Sequence, residues 1–182
     1  MNMNKDEIMM ESLMGFFQYS HNFEILKEFL PKKNKNKISR RIVNWFVTNY
    51  AKQYDTTYII EKPNVKPKVF EVYHEYVAAM NGYNKYYFDP FCRKGKHSTV
   101  FDLESDTGEK LTTTIAQLNF FRWAIRNGVI EYVRRYSDQI YEDMTKRTKN
   151  NDNRKKKQLS INSGRTLSSF NNNDELPSIK IS

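Results

Sequence analysis

The stretch TTTIAQLNFFRWAIRNGVIEYVRRYSDQIYEDM, residues 112–144, decides the fold. Thr114 stands three residues before Gln117, the spacing of a capping box, so a helix is expected over residues 115–127. Ile115, Leu118, Phe120, Phe121, Trp123, Ala124 and Ile125 cover most of that helix's circumference, the pattern of a helix buried at the centre of a small domain. Gly128 suits the position just past its end. A further helix is expected from Val129 to Met144, with Val129, Val133, Tyr136, Ile140 and Met144 as its apolar stripe.

Upstream, STVFDL, ESDTGE and KLTTTIA read as a hairpin near residues 98–114 whose turn holds Asp106-Thr107-Gly108. Residues 38–53 form an amphipathic helix with Ile38, Ile42, Trp45, Phe46 and Asn49 on one face. TTYIIE, residues 56–61, reads as a short strand, ended by Pro63 and Pro67. Residues 69–87 read as a second long helix, and the Asp89-Pro90 turn that follows is expected to be pinned to the core by Phe88 and Phe91. Two shorter helices are expected near the N-terminus. One spans residues 6–19 with Ile8, Met9, Ser12, Leu13 and Phe16 on its face, and the other runs from Asn22 to Leu30.

Charge divides the 182 residues further. Residues 1–37 hold 6 basic and 5 acidic side chains, residues 38–145 hold 15 and 13, and residues 146–182 hold 9 and 3. The last segment therefore carries +6 of the net +9, and after Tyr141 its only aromatic residue is Phe170. Such a segment buries too little surface to offset its ordering entropy and is expected to be disordered. Its end, Leu176 to Ile181, alternates apolar and polar residues, which suits either a free terminus or a strand added to a partner's sheet. The expected organisation is N-terminal helices and a basic linker over residues 1–37, a compact helical domain over 38–145, and a disordered basic tail over 146–182. The fold class is mainly α with a small β-hairpin or short sheet, α+β.

Three segments carry a resemblance: WFVTNYAK (Trp45 to Lys52), FDPFCRK (Phe88 to Lys94) and TTIAQLNFFRWAIRNGVIEYV (Thr113 to Val133). Together they resemble a family of small uncharacterised proteins of nucleocytoplasmic large DNA viruses, over about residues 38–145. The resemblance carries over no catalytic or binding residue. It implies a viral setting, hence a virion, a viral factory or the host nucleus.

No apolar run approaches the roughly 18–20 residues of a membrane span. Lys5, Asp6, Glu7 and Glu11 interrupt the N-terminal apolar residues, so no secretory signal is expected. The single Cys92 fits a reducing, intracellular compartment.

Motifs of catalysis are sparse. Cys92 and His97 lie five apart, and neither CxxC nor HxxxH occurs, so no metal or other cofactor is expected. Arg93, Lys94 and Lys96 lend Cys92 positive surroundings, but a packed thiol is the plainer reading. The glycines form no phosphate-binding loop. Asp102, Glu104, Asp106 and Glu109 cluster at the hairpin turn, as a metal-dependent nuclease or a solvated turn would place them. No small-molecule substrate is evident.

Nucleic acid is the better-supported ligand. Arg122 and Arg126 are i, i+4 on one helix, Arg134 and Arg135 sit on the next, and Arg40 and Arg41 begin another. Convergence of these on one face would make a phosphate-contacting surface; dispersion would leave solvated helical faces. Arg154, Lys155, Lys156 and Lys157 add four charges in the tail and also fit a nuclear localisation signal. The expectation is a non-enzymatic viral accessory protein whose helical domain contacts other viral proteins and whose basic tail binds DNA or RNA without sequence preference. The alternative is a minor, capsid-associated virion protein.

Overall fold

Thr114 ends one strand and starts the central helix, and the rest of the chain is arranged around that junction. The computed structural model describes residues 5–30, 38–92, 100–158 and 177–181. In chain order the elements are α1 (Lys5–Phe17), α2 (Ser20–Phe29), α3, β1 (Thr57–Lys62), β2 (Val65–Glu71), α4 (Val72–Tyr83), β3 (Val100–Glu104), β4 (Lys110–Thr114), α5 (Ile115–Arg126), α6 (Val129–Arg135), α7 (Ser137–Gln158) and β5 (Ser178–Lys180). α3 is one helix in three parts: α-helical turns over Arg40–Trp45, a π turn over Phe46–Tyr50 and a last turn over Ala51–Gln53. The fold is α+β, a helical body with a three-stranded sheet in the order β2-β1-β5 and a separate β3-β4 hairpin.

α5 lies at the centre, as its all-round apolar pattern demands. The Gln117 backbone N–H donates to Thr114 Oγ1 at 3.2 Å, the expected cap. Leu118, Phe120, Phe121 and Ala124 are fully buried. Phe121 stacks on Phe29 of α2, and Phe120 packs against Phe88. Gly128 takes φ +70, which releases the chain from α5 into α6.

The π turn in α3 changes its face. The Ala51 N–H reaches back five residues to the Phe46 carbonyl. Burial therefore runs through Ile42, Val43, Phe46 and Val47 and then Ala51, one position later than a regular helix would give. Tyr50 and Tyr54 are left at the surface side of the helix, Tyr50 half-buried and Tyr54 exposed.

Five expectations need correction. The helix read over 69–87 begins only at Val72, because residues 65–71 pair antiparallel with β1. Pro67 is tolerated there since β2 is an edge strand and the register shifts opposite it, between Ile60 and Lys62. α1 turns somewhat from the face read: Leu13 is buried and Met9 and Phe16 pack against the core as expected, but Phe17 is buried too and Ile8 is exposed. Of the two residues flanking the Asp89-Pro90 turn only Phe88 is pinned in the core; Phe91 is exposed. The final helix is broken once, at Tyr136.

The last correction concerns the C-terminal segment. α7 runs through the assigned boundary at 145 to Gln158, and residues 178–180 form a strand parallel to β1. The period-2 pattern at the end of the chain finds its sheet within the chain itself. Ile179 is buried against Gly128, where a Cβ would meet its Cγ2 at 2.8 Å. Residues 159–176, including Arg165 and Phe170, lie outside the described residues.

Candidate nucleic-acid interface

α7 is held to the body near its start. Asp143, buried on the inner side of the helix, accepts three hydrogen bonds: from Trp45 Nε1 at 2.8 Å, from Tyr54 Oη at 3.1 Å and from Arg147 Nε at 2.8 Å. Ile140 and Met144 are the other buried residues of this helix. Beyond Met144 the described side chains are exposed or half-buried. The helix continues for 14 residues after Met144, about 21 Å at 1.5 Å per residue.

That continuation holds the charge. Residues 146–158 contain seven basic residues (Lys146, Arg147, Lys149, Arg154, Lys155, Lys156 and Lys157) against Asp152 alone, a net of +6. Residues 159–182 contain two basic and two acidic residues and are neutral. The whole +6 assigned to a flexible tail thus belongs to one helix, and its spacing is fixed along an axis.

Beside the point where α7 leaves the body lies a strip of tyrosines. The rings of Tyr50 and Tyr54 are 4.5 Å apart, and those of Tyr132 and Tyr136 are 4.5 Å apart. Phe46 joins the two pairs, 6.0 Å from Tyr50 and 4.9 Å from Tyr132. The Arg147 guanidinium lies 6.0 Å from the Tyr54 ring at one end, and that of Arg135 lies 5.5 Å from Tyr136 at the other. Burial, followed by the neighbouring Tyr54, pushes the Tyr50 hydroxyl up; burial, followed by Tyr50, pushes Tyr132 up further. Both stay neutral at physiological pH. Lys146 is held in its charged form by a hydrogen bond to Glu142 at 2.8 Å. Over the buried Phe46 and Tyr132, the rings of Tyr50, Tyr54 and Tyr136 therefore offer aromatic surface between cations, the composition that nucleic-acid surfaces use for stacking and phosphate contact.

The arginines read from the sequence do not converge. Arg122 donates to Ser12 Oγ at 2.9 Å, Asn119 Oδ1 at 3.1 Å and Tyr83 Oη at 3.3 Å, tying α5 to α1 and α4. Arg126 lies over Phe16 at 5.4 Å. Arg134 donates to both carboxylate oxygens of Glu28 at 2.9 Å. Arg40 reaches the Pro90 carbonyl at 3.4 Å. Only Arg135 borders the tyrosine strip. Arg154, Lys155, Lys156 and Lys157 share the outer end of α7.

Sequence reading missed Tyr50, Tyr54, Lys146, Arg147 and Lys149 as members of one surface. The signal was present in the i, i+4 pair Tyr50 and Tyr54, and in a basic run that begins at Lys146 rather than Arg154. It was hidden by the π turn, which rotates the tyrosines outward, and by a boundary placed inside α7.

The hairpin carboxylates are engaged separately. Asp102 accepts from Thr112 Oγ1 at 2.7 Å, Glu104 pairs with Lys110 at 3.5 Å, and Glu109 pairs with Lys27 of α2 at 2.8 Å. A small cleft of about 250 Å³ holds Asp55, Glu71 and His74, with His74 Nδ1 2.8 Å from Glu71 Oε2. Both members of that pair are exposed. Among the described residues no group of three or more His, Cys, Asp or Glu side chains is placed to hold a metal ion, and no helix is long and apolar enough to cross a membrane.

Over residues 1–182 the chain matches a family of unknown function, DUF7197. It belongs to that family. The match takes in both ends, which the resemblance read from the sequence left out. An uncharacterised protein of Acanthamoeba polyphaga mimivirus, L507, is 42% identical over 146 residues. That covers 80% of this chain and 56% of the relative, so the chain spans about half the length of this viral protein. No solved structure matches.

Proposed function

We propose that this chain is a non-enzymatic accessory protein of a large DNA virus that attaches to nucleic acid through the outer half of α7. The observation that carries this reading is the +6 concentrated on residues 146–158 of a helix that leaves the body beside the Tyr50, Tyr54 and Tyr136 strip. A rod of like charges has nothing to gain from the body it leaves. Its natural counterion is a polyanion, and released counterions drive that contact. The attachment is independent of base sequence. The viral relative supports the setting: a viral factory, the host nucleus or the virion. The helical body supplies contacts to other viral proteins.

The reading is tested by measuring DNA and RNA binding against salt. Replacing Arg154, Lys155, Lys156 and Lys157 by Gln should lower the slope of log affinity against log salt by about 3, since each phosphate contact contributes roughly 0.7–0.9. An unchanged slope would sink it.

A minor virion structural protein is the second reading, favoured by the outer side of α1. Ile8 and Met14 are exposed there beside a cleft of about 670 Å³ lined by Met10 and Ile115, with Asp6 and Glu11 at its rim. Adaptable Met-rich surfaces suit protein contacts. Absence of the protein from the mass spectra of purified virions would remove this reading.

A further inference from the structure

The strand that closes the sheet arrives from far away in the chain and is held by very little. β5 is three residues long. It pairs in parallel with β1, Ile59 opposite Ser178, Ile60 opposite Ile179 and Glu61 opposite Lys180. The Ile59 N–H donates to the Pro177 carbonyl at 3.0 Å, and the Ile181 N–H donates to the Glu61 carbonyl at 3.2 Å.

The receiving groove is nonetheless built for this sequence. Its floor is Gly128, whose missing Cβ makes room for Ile179, with Ile181 at the same spot. Ser178 Oγ donates to Glu61 Oε1 at 2.5 Å, and Arg135 Nη1 donates to the Ser178 carbonyl at 3.4 Å. The groove thus reads a small hydroxyl residue, a β-branched residue that enters the pit above Gly128, an outward residue (Lys180 is exposed) and a second Ile. None of these contacts requires that groove and strand belong to one molecule.

We propose that the β1–Gly128 groove also accepts the C-terminal strand of a second copy of this chain, giving a strand-exchanged dimer. Three observations select a second copy as the occupant. The ligand seen in the groove is the chain's own end, so every copy carries both halves of the contact. The connector from Gln158 to Pro177 is 18 residues, which spans up to about 60 Å when extended. It leaves from the end of a helix that projects about 21 Å beyond the last buried residue of α7, so the strand can be delivered to a neighbour as well as to its own body. Exchange of an identical element makes a closed, symmetric pair without new surface. Strands linked within one chain meet at effective concentrations of about 1 mM, so exchange grows as the concentration of copies approaches that value. Crowding on a shared surface reaches such values.

The test uses the full chain with Cys92→Ser and one new cysteine in each of two populations, Glu61→Cys in one and Lys180→Cys in the other. These positions face each other in the strand register. Neither population can close a disulfide within one molecule, so a covalent heterodimer reports docking between molecules. Under a mild thiol–disulfide buffer near 1 mM protein, the heterodimer should form at least tenfold faster than when the Lys180→Cys chain also carries Ile179→Asp. Equal rates with and without Ile179→Asp would overturn the proposal, because the link would then be chance collision. Placing both cysteines in one chain should give a fast intrachain disulfide in dilute solution. Its failure would overturn the proposal as well, since the groove would not hold the strand even within one molecule.

Discussion

α5 and α7 are both helices, and they exist for opposite reasons. α5 is apolar on nearly every side and is buried along nearly its whole length; its neighbours on all sides hold it. Among the described side chains α7 has Ile140, Asp143 and Met144 buried, near its start, while the helix goes on to Gln158. Packing makes the first helix. A short anchored stretch starts the second, and its outer part mixes the good helix formers Lys, Arg and Gln with the poorer Thr, Asn and Asp. The comparison teaches that the body and the charged arm are continuous in backbone but differ in what holds them: changes in α5 are felt as stability, and changes beyond Met144 are the ones that test the proposed binding.

The strongest way to break the comparison is at its buried end. Phe121→Ala removes a fully buried ring that stacks on Phe29, and it should cost about 3–5 kcal/mol in denaturant unfolding. A loss under 1 kcal/mol would mean that α5 is not the centre of the core. Next comes the hinge between the two regimes. Asp143→Ala strips the acceptor from Trp45, Tyr54 and Arg147 at once, and it should cost about 2–3 kcal/mol. Asp143→Asn keeps an acceptor oxygen and should cost less. Limited trypsin digestion adds a second readout: cleavage after Lys146 or Arg147 should quicken in Asp143→Ala, because the outer helix then has no anchor at its base.

Much of the body was legible in sequence because one cause acted alone there. The Thr114 cap, the apolar circumference of α5, the Gly128 exit and the Asp106-Thr107-Gly108 hairpin turn each follow from local chemistry, and each stands where it was read. The misreadings came where a distant partner decided. Residues 69–71 have helical company but pair with β1. Ile179 reads as part of a free terminus or of a strand for a partner's sheet until Gly128 supplies a pit for it. The arginines were legible as charges but not as partners: Arg134 finds Glu28 across 106 positions, and Arg122 finds Ser12 across 110. The candidate interface was the least legible part. Its tyrosines are placed by a π turn, and π turns have no dependable sequence signature.

The smallest effect sharpens the comparison from the side of charge. α7 buries the Asp143 carboxylate among three hydrogen-bond donors, and α6 half-buries that of Glu131. Glu131 Oε2 has no hydrogen-bond partner, and burial pushes the Glu131 carboxyl above its ordinary value, against the opposing pull of its own backbone N–H, Arg134 and His21. A carboxyl whose folded pKa is raised binds its proton more tightly in the folded state. As pH rises through the ordinary carboxylate value and then the raised one, the unfolded chain releases the proton first, and stability falls across that window. Above it, the buried charge is a standing cost. Glu131→Gln removes the charge at similar volume, so it should stabilise the chain at pH 7 and change nothing below roughly pH 4. Unfolding midpoints of the two proteins across pH 4–8 measure this directly. A constant gap over that range would trace the effect to packing rather than ionisation, and a loss of stability at pH 7 would show that Arg134 and His21 outweigh the burial.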